Sequence, residues 1–83
     1  MNQAIQFVDR EWWDDTKQAV CFPAMVNGFQ IICAISERSL ILRFGNTDDA
    51  LNCFRLNRLD LEDVAEQAIE NEEEDDQGWI WLS

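Results

Sequence analysis

The alternation of apolar residues is clearest around Asn27-Gly28. Asn-Gly is the preferred pair for a type I′ turn, because both central residues need φ > 0. A two-residue loop there sets a hairpin register, with Val26 opposite Phe29, Ala24 opposite Ile31, Phe22 opposite Cys33 and Val20 opposite Ile35. All eight are apolar, and the two-residue period of a strand gathers them on one face, which is the core face. The other face carries Ala19, Cys21, Pro23 and Met25, with Gln30, Ile32 and Ala34 across from them. It is smaller and partly polar. Pro23 falls at a non-hydrogen-bonded position towards its hairpin partner, so its missing N–H weakens nothing on that side. On the other side it would interrupt a ladder, which marks an edge or a bulge.

Upstream, Ile5 and Phe7 alternate with Gln6 and predict a short strand near 3–8. A polar and aromatic connection from Asp9 to Lys17 then leads into the hairpin. Downstream, Ser36 can cap a helix over 37–44, with Leu40, Ile41 and Phe44 on one side and Gly45 suited to its C′ position. Thr47 can cap the next helix, with Asp48 and Asp49 in its first turn and Leu51 and Phe54 facing inward. Leu61, Val64, Ala65, Ala68 and Ile69 follow at helical spacing. Asp60 could cap that stretch afresh, with Leu59 and Val64 as a hydrophobic staple. The span 48–71 is therefore expected as one helix kinked near 57–59, with two consecutive helices as the alternative. The run Glu72-Glu73-Glu74-Asp75-Asp76 is unfavourable at a helix C-terminus, so the helix is expected to end near Asn71 and the acids to form a connector. Gly78 then opens a last strand over 79–82. The pattern predicts one α+β domain over 1–83. It has a small antiparallel sheet (strands near 3–8, 18–26, 29–35 and 79–82) with the helices packed on one face.

The opening MNQAIQF, the hairpin CFPAMVNG followed by CAIS, the pieces SL, RF, FR and DLE, and the ending DDQGWIWL resemble a family of short bacterial proteins. That family is known only as a domain of unknown function. The resemblance runs almost end to end. It implies an α+β fold with an antiparallel sheet and helices packed on it. It implies no activity, and it carries no catalytic or ligand-binding residue onto any position of this chain.

Charge sharpens the picture. The chain has 83 residues and a net charge of -11. Residues 1–59 hold all six bases and seven acids, whereas residues 60–83 hold ten acids and no base. Such a surface repels phosphate backbones, so direct nucleic-acid binding is not expected. Basic protein surfaces and divalent cations are attracted instead. No basic segment followed by an apolar stretch opens the chain, and no window approaches a membrane span. Cys21, Cys33 and Cys53 are odd in number and lack CxxC spacing, and the register keeps Cys21 and Cys33 on opposite faces of the hairpin. Reduced thiols in a cytoplasmic protein are the expectation.

Catalysis finds little to stand on. The chain has no His and no Tyr, which removes the commonest general base and one common acid. The cysteines sit in apolar sequence, where a thiol pKa rises. Carboxylates lie beside indoles in Trp12-Trp13-Asp14-Asp15 and in Asp75-Asp76-Gln77-Gly78-Trp79, an arrangement glycoside hydrolysis also uses. That chemistry needs a desolvating cleft that so short a chain can hardly build. Glu72 to Asp76 is a contiguous block without the alternating ligands of a Ca²⁺ loop, and no His or Cys cluster points to zinc. No cofactor and no enzyme activity are expected.

Tryptophan is abundant, with four in the chain. Trp79 and Trp81 share one strand face, where filling the core is the usual role of so large a side chain. Adjacent Trp12 and Trp13 are harder to bury together, so one of them is a candidate interaction anchor. The second hairpin face needs a cover, either the Asp9–Lys17 connection, a partner, or a second copy in a homodimer. The reading is a small acidic cytoplasmic interaction or regulatory module that docks a basic protein surface. Its candidate interaction residues are Trp12, Trp13, Glu72, Glu73, Glu74, Asp75 and Asp76. Two alternatives stand beside it: a nucleic-acid mimic acting on a DNA-binding protein, and a small ligand-binding domain or enzyme.

Overall fold

The Asn27-Gly28 turn forms as its residues demand, with φ of 51° at Asn27 and 86° at Gly28. In the computed structural model, which describes residues 4–83, the flanking segments become β3 (Ala19–Val26) and β4 (Phe29–Ser36). Their register pairs Val26 with Phe29, Ala24 with Ile31, Phe22 with Cys33 and Val20 with Ile35, as the alternation predicts.

Pro23 shapes the other side of β3. The ladder there is split between β1 (Ile5–Phe7), which pairs with Val26 to Ala24, and β2 (Trp12–Asp14), which pairs with Cys21 to Ala19. Phe22 and Pro23 face the gap. Gln3, where the first strand was expected to begin, lies outside the described residues. The Asp9–Lys17 connection thus contains a strand that its composition did not announce. Its return to β3 is tight: the Asp14 carboxylate accepts the Lys17 N–H at 3.0 Å, and Gln18 sits at φ 50°.

The helices come next: α1 (Glu37–Phe44), α2 (Ala50–Leu56) and α3 (Arg58–Glu70). Ser36 caps α1 by accepting the Ser39 N–H at 3.1 Å, and the Gly45 N–H closes its end on the Ile41 carbonyl at 2.8 Å. The cap of α2 is Asp49 rather than Thr47; its carboxylate accepts the Asn52 N–H, while the Thr47 hydroxyl accepts the Asp49 N–H. The expected single kinked helix over 48–71 is corrected here to two helices, parted at Asn57. Asn57, not Asp60, holds the N-cap position of α3, and its side-chain amide donates to the Cys53 carbonyl at 2.8 Å.

β5 (Ile80–Leu82) completes the sheet beside β4, giving the order β1–β3–β4–β5 with β2 also on β3. The expected antiparallel sheet is corrected here to a mixed one, because β5 runs parallel to β4. Three helices carry the chain back between these strands, and such a crossover returns the next strand in the same direction.

The main core lies between the hairpin's first face and the helices. Val20, Phe22, Ala24, Cys33, Ile35, Ile80 and Leu82 from the sheet meet Leu40, Cys53, Phe54, Leu61, Ala65 and Ile69. Phe22 is its hub, with ring centroids 6.1 Å from Phe7 and 4.8 Å from Phe54. Among the described residues no helix is long and apolar enough to cross a membrane.

Candidate interaction surface

The helix-free face of the sheet is covered by its own chain. Ala19, Cys21 and Ala34 are fully buried there beneath Trp12, Ile32 and Trp79. The register explains how. Trp12 pairs with Cys21, Cys21 with Ala34, and Ala34 with Trp81, so one row across four strands has small residues in the middle and indoles at both ends. Trp79 and Trp81 stack with centroids 6.1 Å apart. The Lys17 ammonium lies 5.0 Å from the Trp79 ring and the Arg10 guanidinium 5.6 Å from Trp12, so cations finish the cover. The Asp9–Lys17 segment supplies half of this roof, and the segment before β5 supplies the rest.

The acidic connector is folded, not loose. The Glu72 N–H reaches the Ile69 carbonyl and the Glu73 N–H reaches the Ala68 carbonyl, a pair of bonds that reverses the chain past α3 with Glu72 at φ 56°. Asp75 then organises the approach to β5. Its carboxylate accepts the backbone N–H groups of Gln77 and Trp79, each at 2.9 Å, and the Trp81 indole N–H at 3.2 Å. Those donors, the Trp79 N–H foremost, hold its carboxyl below the usual range. Glu72, Glu73, Glu74 and Asp76 project into solvent.

The predicted site residues do not all meet. Trp12 and Trp13 stand on β2 and the acids beside β5, on opposite edges of the sheet and three strand spacings apart, about 14 Å. Both indoles are half-buried: Trp12 roofs the helix-free face, and Trp13 packs against the main core. The indole beside the acids is Trp81, 40% exposed. Sequence reasoning placed Trp81 with Trp79 correctly but had no signal for its exposure, because both faces of Trp79–Leu82 are apolar.

A second charged cluster is invisible locally. Glu11 is clasped by Arg58 and by Arg55, the latter at 2.6 Å, and its side chain is only 10% exposed. The Arg58 guanidinium also lies 5.1 Å from the Phe54 ring and 3.8 Å from Glu62. Hydrogen bonds from Arg55 and then Arg58 lower the Glu11 pKa, whereas burial raises that of Glu62 against the pull of Arg58. This clasp binds the β1–β2 connection to the corner between α2 and α3. The partners are 44 and 47 residues apart, so no sequence window contains both.

Five of the six bases are thereby occupied, and Arg38 is exposed with no ion pair among the described residues. Arg10 and Lys17 cover indoles, Arg43 donates to the Ser83 carbonyl at 2.8 Å, and Arg55 and Arg58 hold Glu11. The exposed acids of α3 (Asp60, Asp63, Glu66 and Glu70) make no ion pair among the described residues.

The thiols are buried and free. Burial pushes Cys21 up to about 11 and Cys33 up to about 12, so both are protonated and poor nucleophiles at neutral pH. Among the described residues no group of three or more Cys, Asp or Glu side chains is placed to hold a metal ion. Surface hollows lie at the α2–α3 corner around Leu56 and Leu59, between Trp13 and the start of α2, and along β5.

A family model described as "Protein of unknown function (DUF1488)" matches residues 5–82. "Uncharacterized protein YrdB" of Escherichia coli (strain K12) is 60% identical, with 99% of each chain covered. The protein of the same description from Shigella flexneri is 58% identical over the same share. A crystal structure of a protein of unknown function of this family from Shewanella loihica superposes with a TM-score of 0.89 at 36% identity, covering 99% of this chain and 94% of that one.

Proposed function

Because the chain belongs to the DUF1488 family of proteins of unknown function, what it does has to be argued from its surface, and we propose that it is a small acidic docking module for a basic protein partner in the cytoplasm. It acts by binding, not by catalysis. The observation that carries this reading is the pairing of unneutralised acids with an exposed indole. Asp60, Asp63, Glu66, Glu70, Glu72, Glu73, Glu74 and Asp76 are exposed, and Trp81, tied to Asp75, lines the same hollow as Glu73. Complementary charge speeds encounter and selects the partner, while a large amphipathic side chain supplies the contact that holds it. Buried, protonated thiols suit a reducing compartment.

The test compares the intact protein with a variant carrying Glu72→Gln, Glu73→Gln, Glu74→Gln and Asp76→Asn. Asp75 is left alone because it holds the turn. Partners are recovered from lysate, identified, purified and titrated against both proteins at rising salt. A basic partner whose affinity falls steeply with salt, and falls again in the variant, supports docking. Equal affinity for the two proteins, or indifference to salt, overturns it.

A further inference from the structure

Resting on that docking reading, we propose that the partner presents an extended, cation-bearing segment that adds to the free edge of β5 as a further strand. Three observations converge on this edge. Among the described residues, β5 pairs with β4 on one side and with no strand on the other. On that outer side the Trp79 N–H and C=O are taken by Asp75 and the Ser83 C=O by Arg43, which leaves the Trp81 N–H and C=O open to pairing. A hollow of about 200 Å³ lies beside that edge, lined by Val64, Gln67, Ala68 and Asn71 of the α3 side, by Leu82, and by Arg43, which donates to the Ser83 carbonyl. The α3 side of its rim is acidic: Glu73 lines it, and Asp63 and Glu70 lie on the same helical stripe as Gln67, four residues before it and three after, whereas Arg43 at the other side is engaged with Ser83.

The pleat dictates what such a strand must look like. Side chains of an added strand alternate between the two faces of the sheet. Those on the helix side enter the hollow, where a Lys or Arg stem lies on Val64 and Ala68 and its head reaches the rim acids. Those on the other side come down beside Trp81, whose exposed ring takes an apolar group or a guanidinium. The segment therefore carries cations at alternate positions. A second copy of this chain does not fit. Each copy has a net charge of -11, and joining two β5 edges sets the two acidic rims against each other. The short strand and its charges thus exclude self-pairing while admitting a cationic guest.

The probe is a short end-blocked peptide of alternating lysine and valine, titrated into the full chain at low salt and followed by amide chemical shifts and hydrogen exchange. Shifts at Gln67, Asn71, Trp81 and Leu82, and slower exchange of the outward-facing Trp81 amide, are expected. Two controls separate edge pairing from simple charge attraction. N-methylation of alternate peptide nitrogens removes strand donors and should weaken binding about tenfold or more. Gln67→Trp fills the hollow from an exposed helix position that leaves the core intact, and should weaken binding by a similar factor. If the alternating peptide does not bind, or the methylated peptide and the Gln67→Trp protein bind as well as their parents, edge pairing is wrong. In the latter case charge docking still stands. If the four-fold neutralised variant binds this peptide undiminished while methylation abolishes binding, edge pairing stands and acidic docking fails.

Discussion

The two faces of the sheet are buried by different means. The first face is packed by helices whose apolar stripes recur with regular spacing, and its large side chains interlock around Phe22 and Phe54. The second is closed without any regular element. Small residues lie beneath two indoles brought from opposite edges of the sheet, and cations lie over the rings. One face is stabilised by interdigitation and the other by a lid of single side chains. Truncation should cost much more on the first. Phe54→Ala, at a fully buried ring, should lower stability by about 3–5 kcal/mol. Trp79→Ala, at a half-buried ring, should cost about 2 kcal/mol, because part of the space it leaves is refilled by water. Denaturant titration of both variants checks this, and equal costs would mean that the second face is a true second core.

That contrast also explains what could be read in advance. The hairpin register, the bounds of α1 and the end of α3 before the acids all rest on signals within a few residues: Asn27-Gly28, Ser36 with Gly45, and a run of like charges at a helix end. β2 was missed because Trp12–Asp14 is three residues long in polar surroundings and gains its pairing only from β3. The direction of β5 depends on the path of three helices. The exposure of Trp81 depends on which neighbour lies beside it, and the Glu11 clasp depends on groups far apart in sequence. Local rules see periodicity and punctuation, and these contacts have neither.

Each face is also held by one carboxylate whose pKa the fold lowers: Glu11 beside the helices and Asp75 beneath Trp79 and Trp81. The sign is the same for both. A depressed carboxylate contributes stability that is present above its unfolded pKa and is lost as pH falls through the folded one. The loss therefore begins near 4.5 for Glu11 and near 3.8 for Asp75. At neutral pH Glu11→Gln should cost about 2 kcal/mol, since Arg58 keeps a largely buried guanidinium with a poorer acceptor. It should also flatten the stability profile below pH 4.5, whereas Asp75→Asn flattens it only below 3.8. Urea midpoints measured from pH 6 to 3 distinguish the two. Identical profiles would remove the assignment of one tie to each face.

The smallest effect lies where the chain passes from one face to the other. Glu72 turns it out of α3 towards Trp79, in a left-handed conformation with φ 56°. This is the position at which helices usually place glycine, because a Cβ there crowds the following carbonyl, at about 1–2 kcal/mol. A negative charge just beyond the helix C-terminus adds a further unfavourable contribution of about 0.3–1 kcal/mol at low salt. Glu72→Gly removes both and loses about 0.5–1 kcal/mol to the greater freedom of its unfolded chain. The net expectation is a gain of about 1 kcal/mol, which in a domain of this size raises Tm by about 4–8 °C. Glu72→Ala removes the charge but keeps the strain, so it should gain less. If the alanine variant is as stable as the glycine variant, charge alone opposes this turn. If neither gains, the exit from α3 is unstrained and the junction between the two faces stores nothing.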